Sequence, residues 1–240
     1  ARATRGADRV LAMVPPNYGH LDQRAWGKAA ADAIASGTQV SRVKTVVTLS
    51  SVGADLEDGV GGQLGGLHEL EHRFNIIPGI NLLHVRCGFF MENLLSSIPL
   101  IRNAGINGGM FDADRPIPMI ATRDISSRLA EYLGRQALSG KQVIELPGPR
   151  DYTHRQVTGV IGTAIGRPDL PYVRFSYEDG INALRNAGLS ESAAVGFAEM
   201  ARGFNEERIR RAPRSPETTT PTTIEDFIRD VFLPAWHYAP

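Results

Sequence analysis

The chain has 240 residues, 42% of them apolar and 22% charged, with a formal net charge of zero and one cysteine. That balance leaves no electrostatic footprint for nucleic acid or an anionic membrane, no run reaches the ~18 apolar residues of a membrane span, and no basic-then-apolar signal sequence is present. A lone cysteine cannot close an internal disulfide, so a reducing, cytoplasmic setting is expected.

Taken in order, Arg9 to Val14 is a near-continuous apolar run, as expected of a strand buried on both faces, and Pro15-Pro16-Asn17 ends it. A helix is expected from Asp22 to Ala35, with Trp26, Ala30, Ala33 and Ile34 on one stripe and Gly37 as its stop. Val46-Val47-Thr48-Leu49 reads as a strand, Ser50 to Asp55 as a loop and Leu67 to Ile77 as a helix. Asn81 to Val85 is a second strand, Arg86 to Phe90 a loop, and Met91 opens another helix. This is a βαβ unit whose strand ends would lie side by side, where open parallel sheets bind ligands.

Further on, Asn103 to Gly109 is a loop, Pro116-Ile117-Pro118 is extended, and Thr122 caps a helix with Ile125, Leu129 and Leu133 on its stripe. Val143 to Leu146 is a strand, and Thr153 with Gln156 makes a capping box. Tyr172 to Phe175 is a short strand, and Ser176 and Ser190 each begin a helix. Arg208 to Pro221 reads as loop, and Thr222 with Glu225 as a second capping box before a closing amphipathic helix. The expected fold is α/β, with a doubly wound parallel sheet in residues 1–146 and a smaller, mostly helical C-terminal lobe in residues 147–240.

His68-Glu69-Leu70-Glu71-His72 fits H-E-x-x-H literally. It lacks a third ligand, and Leu67, Leu70, Phe74 and Ile77 account for the helix as a sheet crossover, so no metal site is assigned. A Ser/Tyr/Lys dehydrogenase triad is not encoded, because none of the six tyrosines has a lysine four residues on. No G-x-G-x-x-G follows a strand, and the glycine-rich segment from Gly59 to Gly66 reads as a loop able to close over a ligand. Cys87 reads as a buried, inert thiol, Arg123 and Asp124 as a structural pair, and Trp236 and Tyr238 as packing on the lobe.

Thr48 to Ala54, Leu67 to Glu71, Arg86-Cys87-Gly88-Phe89-Phe90-Met91-Glu92-Asn93, Pro116 to Ile125, Glu145 to Pro149 and Thr220 to Phe227 together resemble the NmrA-like family, atypical short-chain dehydrogenase/reductases that bind NAD(P). The string Arg-x-Gly-x-Phe-Met-Glu-Asn is its most specific piece, and Cys87 departs from the family's usual proline. The resemblance implies a Rossmann-like fold with NADP or NAD across the strand ends. Members include quinone and carbonyl reductases and cofactor-sensing regulators without catalysis. It also implies that the family's first strands and Gly-rich phosphate loop are missing here, which would leave the first visible strand with an unpaired edge.

On that resemblance, Val14, Pro15 and Pro16 contact the ribose region, Ser50, Ser51 and Gly53 face the nicotinamide, and Arg86, Gly88, Phe89 and Phe90 line its far side. His68, Glu71 and Ser51 are the candidates for chemistry. The expected function is an NAD(P)H-dependent oxidoreductase acting on a quinone, enone or other small carbonyl compound. The alternative is a non-catalytic NAD(P)-sensing regulator. The expected partners are a small-molecule substrate and, in addition, a protein partner or a second copy of the chain.

Overall fold

The structure, a computed structural model, describes residues 2–56, 62–134, 138–209 and 211–238. Its strands are β1 (Arg9–Ala12), β2 (Thr45–Ser51), β3 (Asn81–Cys87), β4 (Phe89–Phe90), β5 (Asn107–Gly109), β6 (Ile117–Ile120), β7 (Lys141–Leu146), β8 (Asp151–Tyr152) and β9 (Tyr172–Arg174). Its helices are α1 (Gln23–Val40), α2 (Gly62–Asn75), α3 (Ile98–Ala104), α4 (Thr122–Gly134), α5 (His154–Ala164), α6 (Tyr177–Asn186), α7 (Glu191–Asn205), α8 (Ile224–Phe227) and α9 (Leu233–Tyr238).

The main sheet runs β1-β2-β3-β7, and every pairing in it is parallel. Side chains alternate across it. Val46 and Leu82 pack with Ala31, Ala35, Leu70 and Phe74 of α1 and α2 on one face. Val47, Leu83, Val85 and Cys87 pack with Ile125, Leu129 and Tyr132 of α4 on the other. The sheet is therefore doubly wound, as expected. The expectation that the first strand is buried on both faces does not hold. β1 occupies one end of the strand order, and Leu11 is 41% exposed.

A third and larger core joins Met91, Leu94 and Ile117 to Tyr152, Ile161, Phe204, Ile224 and Phe232. It gathers the C-terminal helices beside the strand ends. Helix α7 and its N-cap are tied to the segments around α1 and α2 at three points. Gln63 Nε2 donates to the Ala193 carbonyl (3.2 Å), the Gln23 amide to Ser192 Oγ (3.0 Å), and the Ser190 amide to the Tyr18 carbonyl (2.9 Å).

Several local expectations shift. The helix after Asp22 runs on through Gly37 to Val40, and its buried stripe is Gly27, Ala31 and Ala35 instead of Trp26, Ala30, Ala33 and Ile34. Small residues win that face because α1 lies directly on α2. A Cβ on Gly27 would stand 2.6 Å from the Gly66 Cα. Helix α2 accordingly starts at Gly62, so part of the expected glycine loop is helical, while residues 57–61 lie outside the described residues. From Met91 to Ser97 the chain is 3-10 before α3 begins.

The closing helix is capped one residue later than expected, by Thr223 with Asp226. Thr222 instead donates its amide (3.0 Å) and hydroxyl (2.7 Å) to Asp124. Arg123 reaches Thr222 and Asp230, so Arg123 and Asp124 form partnerships with the tail and not with each other. Trp236 packs under Arg102 and Arg167, whereas Tyr238 is 88% exposed. The Thr153/Gln156 capping box and the caps at Ser176 and Ser190 form as expected.

The glycine contact between α1 and α2 gives a direct test. Gly27→Ala forces two backbones apart and is expected to cost about 1–3 kcal/mol. Gly159→Ala, in α5 with open space around it, is expected to gain about 0.5–1 kcal/mol from helix propensity. Urea midpoints of the two variants should move in opposite directions, and a Gly27→Ala midpoint at or above that of wild type would refute the close packing.

Candidate functional site

The carboxyl ends of β1, β2 and β3 open on a cleft of about 240 Å³. Parallel strands deliver their ends to one edge, and loops leaving that edge in different directions create the space. Met13, Val14, Pro15 and Pro16 line it from the end of β1, Leu49, Ser50 and Ser51 from β2, and Gly88, Phe89 and Phe90 from beyond β3. Tyr18, Trp26, Leu64 and Asn93 add to the wall, and Phe197, Met200 and Phe204 of α7 close it from the side facing the strand ends. The cleft is thus mostly apolar and aromatic, with a few placed polar groups. The indole of Trp26 donates to the Pro15 carbonyl (3.0 Å), fixing the proline loop against α1.

Eight of the residues expected to contact a cofactor lie in this lining: Val14, Pro15, Pro16, Ser50, Ser51, Gly88, Phe89 and Phe90. Gly53 and Arg86 lie outside it. Gly53 makes a left-handed turn (φ 86°) against Ile209 and Leu64. The close approach at Gly88 is to protein: a Cβ there would meet the Pro118 carbonyl oxygen of β6 at 2.8 Å.

Arg86 turns away from the cleft into a buried polar network. Its Nε and Nη2 donate to Glu71 Oε1 (3.0 Å) and Oε2 (2.6 Å) in a bidentate pair, and Asp55 lies 3.5 Å from Nη1. The Ser50 hydroxyl donates to the same Glu71 Oε1 (2.6 Å). Below them, Thr48 Oγ1 and His84 Nδ1 are 2.7 Å apart, and His84 Nε2 lies 3.3 Å from Asn75 Oδ1.

Register explains the pattern. Ser50 pairs with Arg86, and Thr48 with His84, across β2 and β3. Two strand residues advance about 6.6 Å and four helical residues about 6 Å, so Glu71 and Asn75 of α2 fall over successive cross-strand pairs.

These contacts settle the charges. Burial pushes the Glu71 carboxyl up, but hydrogen bonds from Arg86 and Ser50 outweigh it and hold the group below its usual range. His84 is pushed down, chiefly by burial. Cys87 is a buried free thiol whose pKa burial raises.

Of the residues expected to do chemistry, Ser51 lines the cleft, but its hydroxyl donates to the Val52 carbonyl (3.1 Å). Glu71 touches the cleft only through Ser50. His68 Nδ1 lies 2.8 Å from the Ala54 carbonyl oxygen, outside the lining, and His72 is exposed. Among the described residues no three metal-ligating side chains converge.

Several functional candidates escaped the sequence. Phe197, Met200 and Phe204 stand more than a hundred residues from the strands they face. Tyr18 has no lysine four residues on, and its position two residues after the Pro15-Pro16 strand end is the one signal the sequence carries for it.

The residues fit one half of a dinucleotide. The Ser50 hydroxyl spends its one donated hydrogen bond on Glu71, so it offers lone pairs to a carboxamide N–H, and the flat apolar walls suit a nicotinamide ring. Among the described lining residues there is no lysine or arginine for the phosphates.

Fold and cleft together define a Rossmann-like α/β protein. In keeping with this, the chain superposes on the NADPH-dependent quinone oxidoreductase of Escherichia coli in complex with NADPH, with a TM-score of 0.78 and 22% identity, over 96% of this chain and 78% of that one. It is 26% identical over 200 residues to an NAD(P)H azoreductase of Xenophilus azovorans, covering 82% of this chain and 65% of that protein's length. It is 27% identical over 224 residues to a (4-alkanoyl-5-oxo-2,5-dihydrofuran-3-yl)methyl phosphate reductase of Streptomyces griseus, covering 93% of this chain and 72% of that protein. No protein-family model matches the sequence. Among the described residues no helix is long and apolar enough to cross a membrane.

Proposed function

We propose that the protein is an NAD(P)H-dependent oxidoreductase of the NmrA-like type, acting on a quinone, an enone or another small carbonyl compound. The observation that carries this reading is the cleft itself: three parallel strand ends meet the aromatic wall of α7 around a space fit for two stacked flat rings. The similarity to two reductases that differ in substrate supports the same class of chemistry on small molecules.

In this reading Val14, Pro15, Pro16, Ser50 and Gly88 hold the nicotinamide end, and Phe89, Phe197, Met200 and Phe204 shape the substrate side. A bound NAD(P)H supplies a hydride and no proton. The protein's share is orientation and exclusion of water by the apolar walls.

Purified protein is expected to bind NADPH or NADH in titration calorimetry and to oxidise it in the presence of a panel of quinones, enones and azo compounds. Binding without turnover of any acceptor would replace the enzyme by a cofactor-sensing regulator. Absence of binding would remove the dinucleotide reading altogether.

A further inference from the structure

Reduction of a neutral carbonyl acceptor needs a proton as well as a hydride, and the cleft offers few sources. Among the described residues that line it, Tyr18 is the only one with a titratable side chain. The Ser50 proton is committed to Glu71 and the Ser51 proton to the Val52 carbonyl. Tyr18 stands on the loop after β1, its ring 5.4 Å from Phe197 of α7 and its carbonyl clasped by the Ser190 amide. It is held where the loop meets the lobe, with 43% of its surface in solvent.

We infer that Tyr18 is a catalytic residue that donates its phenolic proton to the oxygen of the bound acceptor. The inference rests on the reductase reading above. For a quinone, a hydride from the dinucleotide and a proton from Tyr18 together yield the hydroquinone. The Tyr18 O–H bond breaks, a new O–H bond forms on the acceptor, and the phenolate recovers its proton from water at its exposed edge. Burial raises the Tyr18 pKa, so the group stays protonated and available as a donor through neutral pH.

The test compares wild type with Tyr18→Phe, which keeps the ring against Phe197; unchanged melting temperature verifies the fold. The first readout needs no cofactor. It is equilibrium binding of 4-nitrophenolate, a mimic of the hydroquinone anion, at a pH below the ordinary tyrosine value of about 10. Loss of a hydrogen bond to a charged acceptor is expected to weaken it about tenfold to a hundredfold. The second readout is turnover: kcat on a quinone is expected to fall about a hundredfold, with a much smaller loss on a triarylmethyl cation, which hydride alone neutralises. Tyr18→His, which keeps a donor, should recover part of both losses.

Equal affinity for the phenolate, or equal losses on the two acceptors, would overturn the assignment. If wild type turns over neither acceptor, the reductase reading fails on its own, and the phenolate measurement still decides whether Tyr18 is a donor in this cleft.

Discussion

Glu71→Ala is expected to destabilise the protein by about 3–5 kcal/mol, because it leaves the Arg86 guanidinium buried without its partner. Both side chains are largely enclosed, with relative exposures of 6% for Glu71 and 14% for Arg86. Asp55 remains, but it is 51% exposed and 3.5 Å away, and it cannot replace a bidentate carboxylate. Since small domains hold only about 5–15 kcal/mol in total, the variant should stand near its folding threshold. The double variant Glu71→Leu/Arg86→Met should recover much of the loss, because a buried pair replaced by apolar groups is often close to neutral. Urea unfolding of wild type, Glu71→Leu, Arg86→Met and the double variant forms a closed cycle, with Glu71→Ala measured beside it. A Glu71→Ala cost below about 1 kcal/mol, ordinary for an exposed ion pair, would show that the network carries no such weight.

The same pair has a pH signature. The folded pKa of Glu71 lies below its ordinary value of 4.5. Its stabilisation is therefore present in full above that value and is lost as pH falls through the folded pKa. The stability gap between wild type and Glu71→Ala should be constant from neutral pH down to about 4.5 and narrow below it. A gap that closed already near neutrality would implicate His84 instead.

The literal H-E-x-x-H motif shows where sequence and structure part. The crossover helix was legible, since Leu70, Phe74 and Ile77 have helical spacing and a β-branched run and a second apolar run flank them. What Glu71 does was not legible, because it depends on how α2 sits over the β2–β3 register. Thr222 and Thr223 make the same point. Thr222-x-x-Glu225 and Thr223-x-x-Asp226 are overlapping cap signals, and local chemistry does not choose between them. Asp124, ninety-eight positions away, takes the Thr222 hydroxyl and leaves the cap to Thr223. The strand-end wall of the cleft could be read from apolar runs broken by Pro and Gly. The opposite wall could not, because α7 reaches it only through tertiary packing. Composition likewise gave no warning that Gly27, Ala31 and Ala35 would displace the larger residues of α1 from the buried stripe.

Acid should unfold this protein earlier than its carboxylates alone would dictate, and His154 is the reason. It is the first residue of α5, 6% exposed, with its ring stacked between Phe111 (5.0 Å) and Tyr172 (5.3 Å) and met edge-on by Phe89 (6.0 Å). Its Nε2 has no hydrogen-bond partner among the described residues. Burial drives its pKa from 6.5 down to about 4. The unfolded chain therefore binds a proton that the folded one refuses, and stability falls as pH drops from about 6.5 to about 4. At 1.36 kcal/mol per pH unit the loss is about 3 kcal/mol. His154→Phe keeps a ring in the stack and removes the titration. Its stability between pH 7 and pH 4 should decline by about 3 kcal/mol less than that of wild type, while at pH 7 the gain from deleting an unpaired buried nitrogen opposes the strain of a slightly larger ring. Parallel pH profiles for the two proteins would mean that His154 is protonated in place, with a partner for Nε2 that the stack conceals.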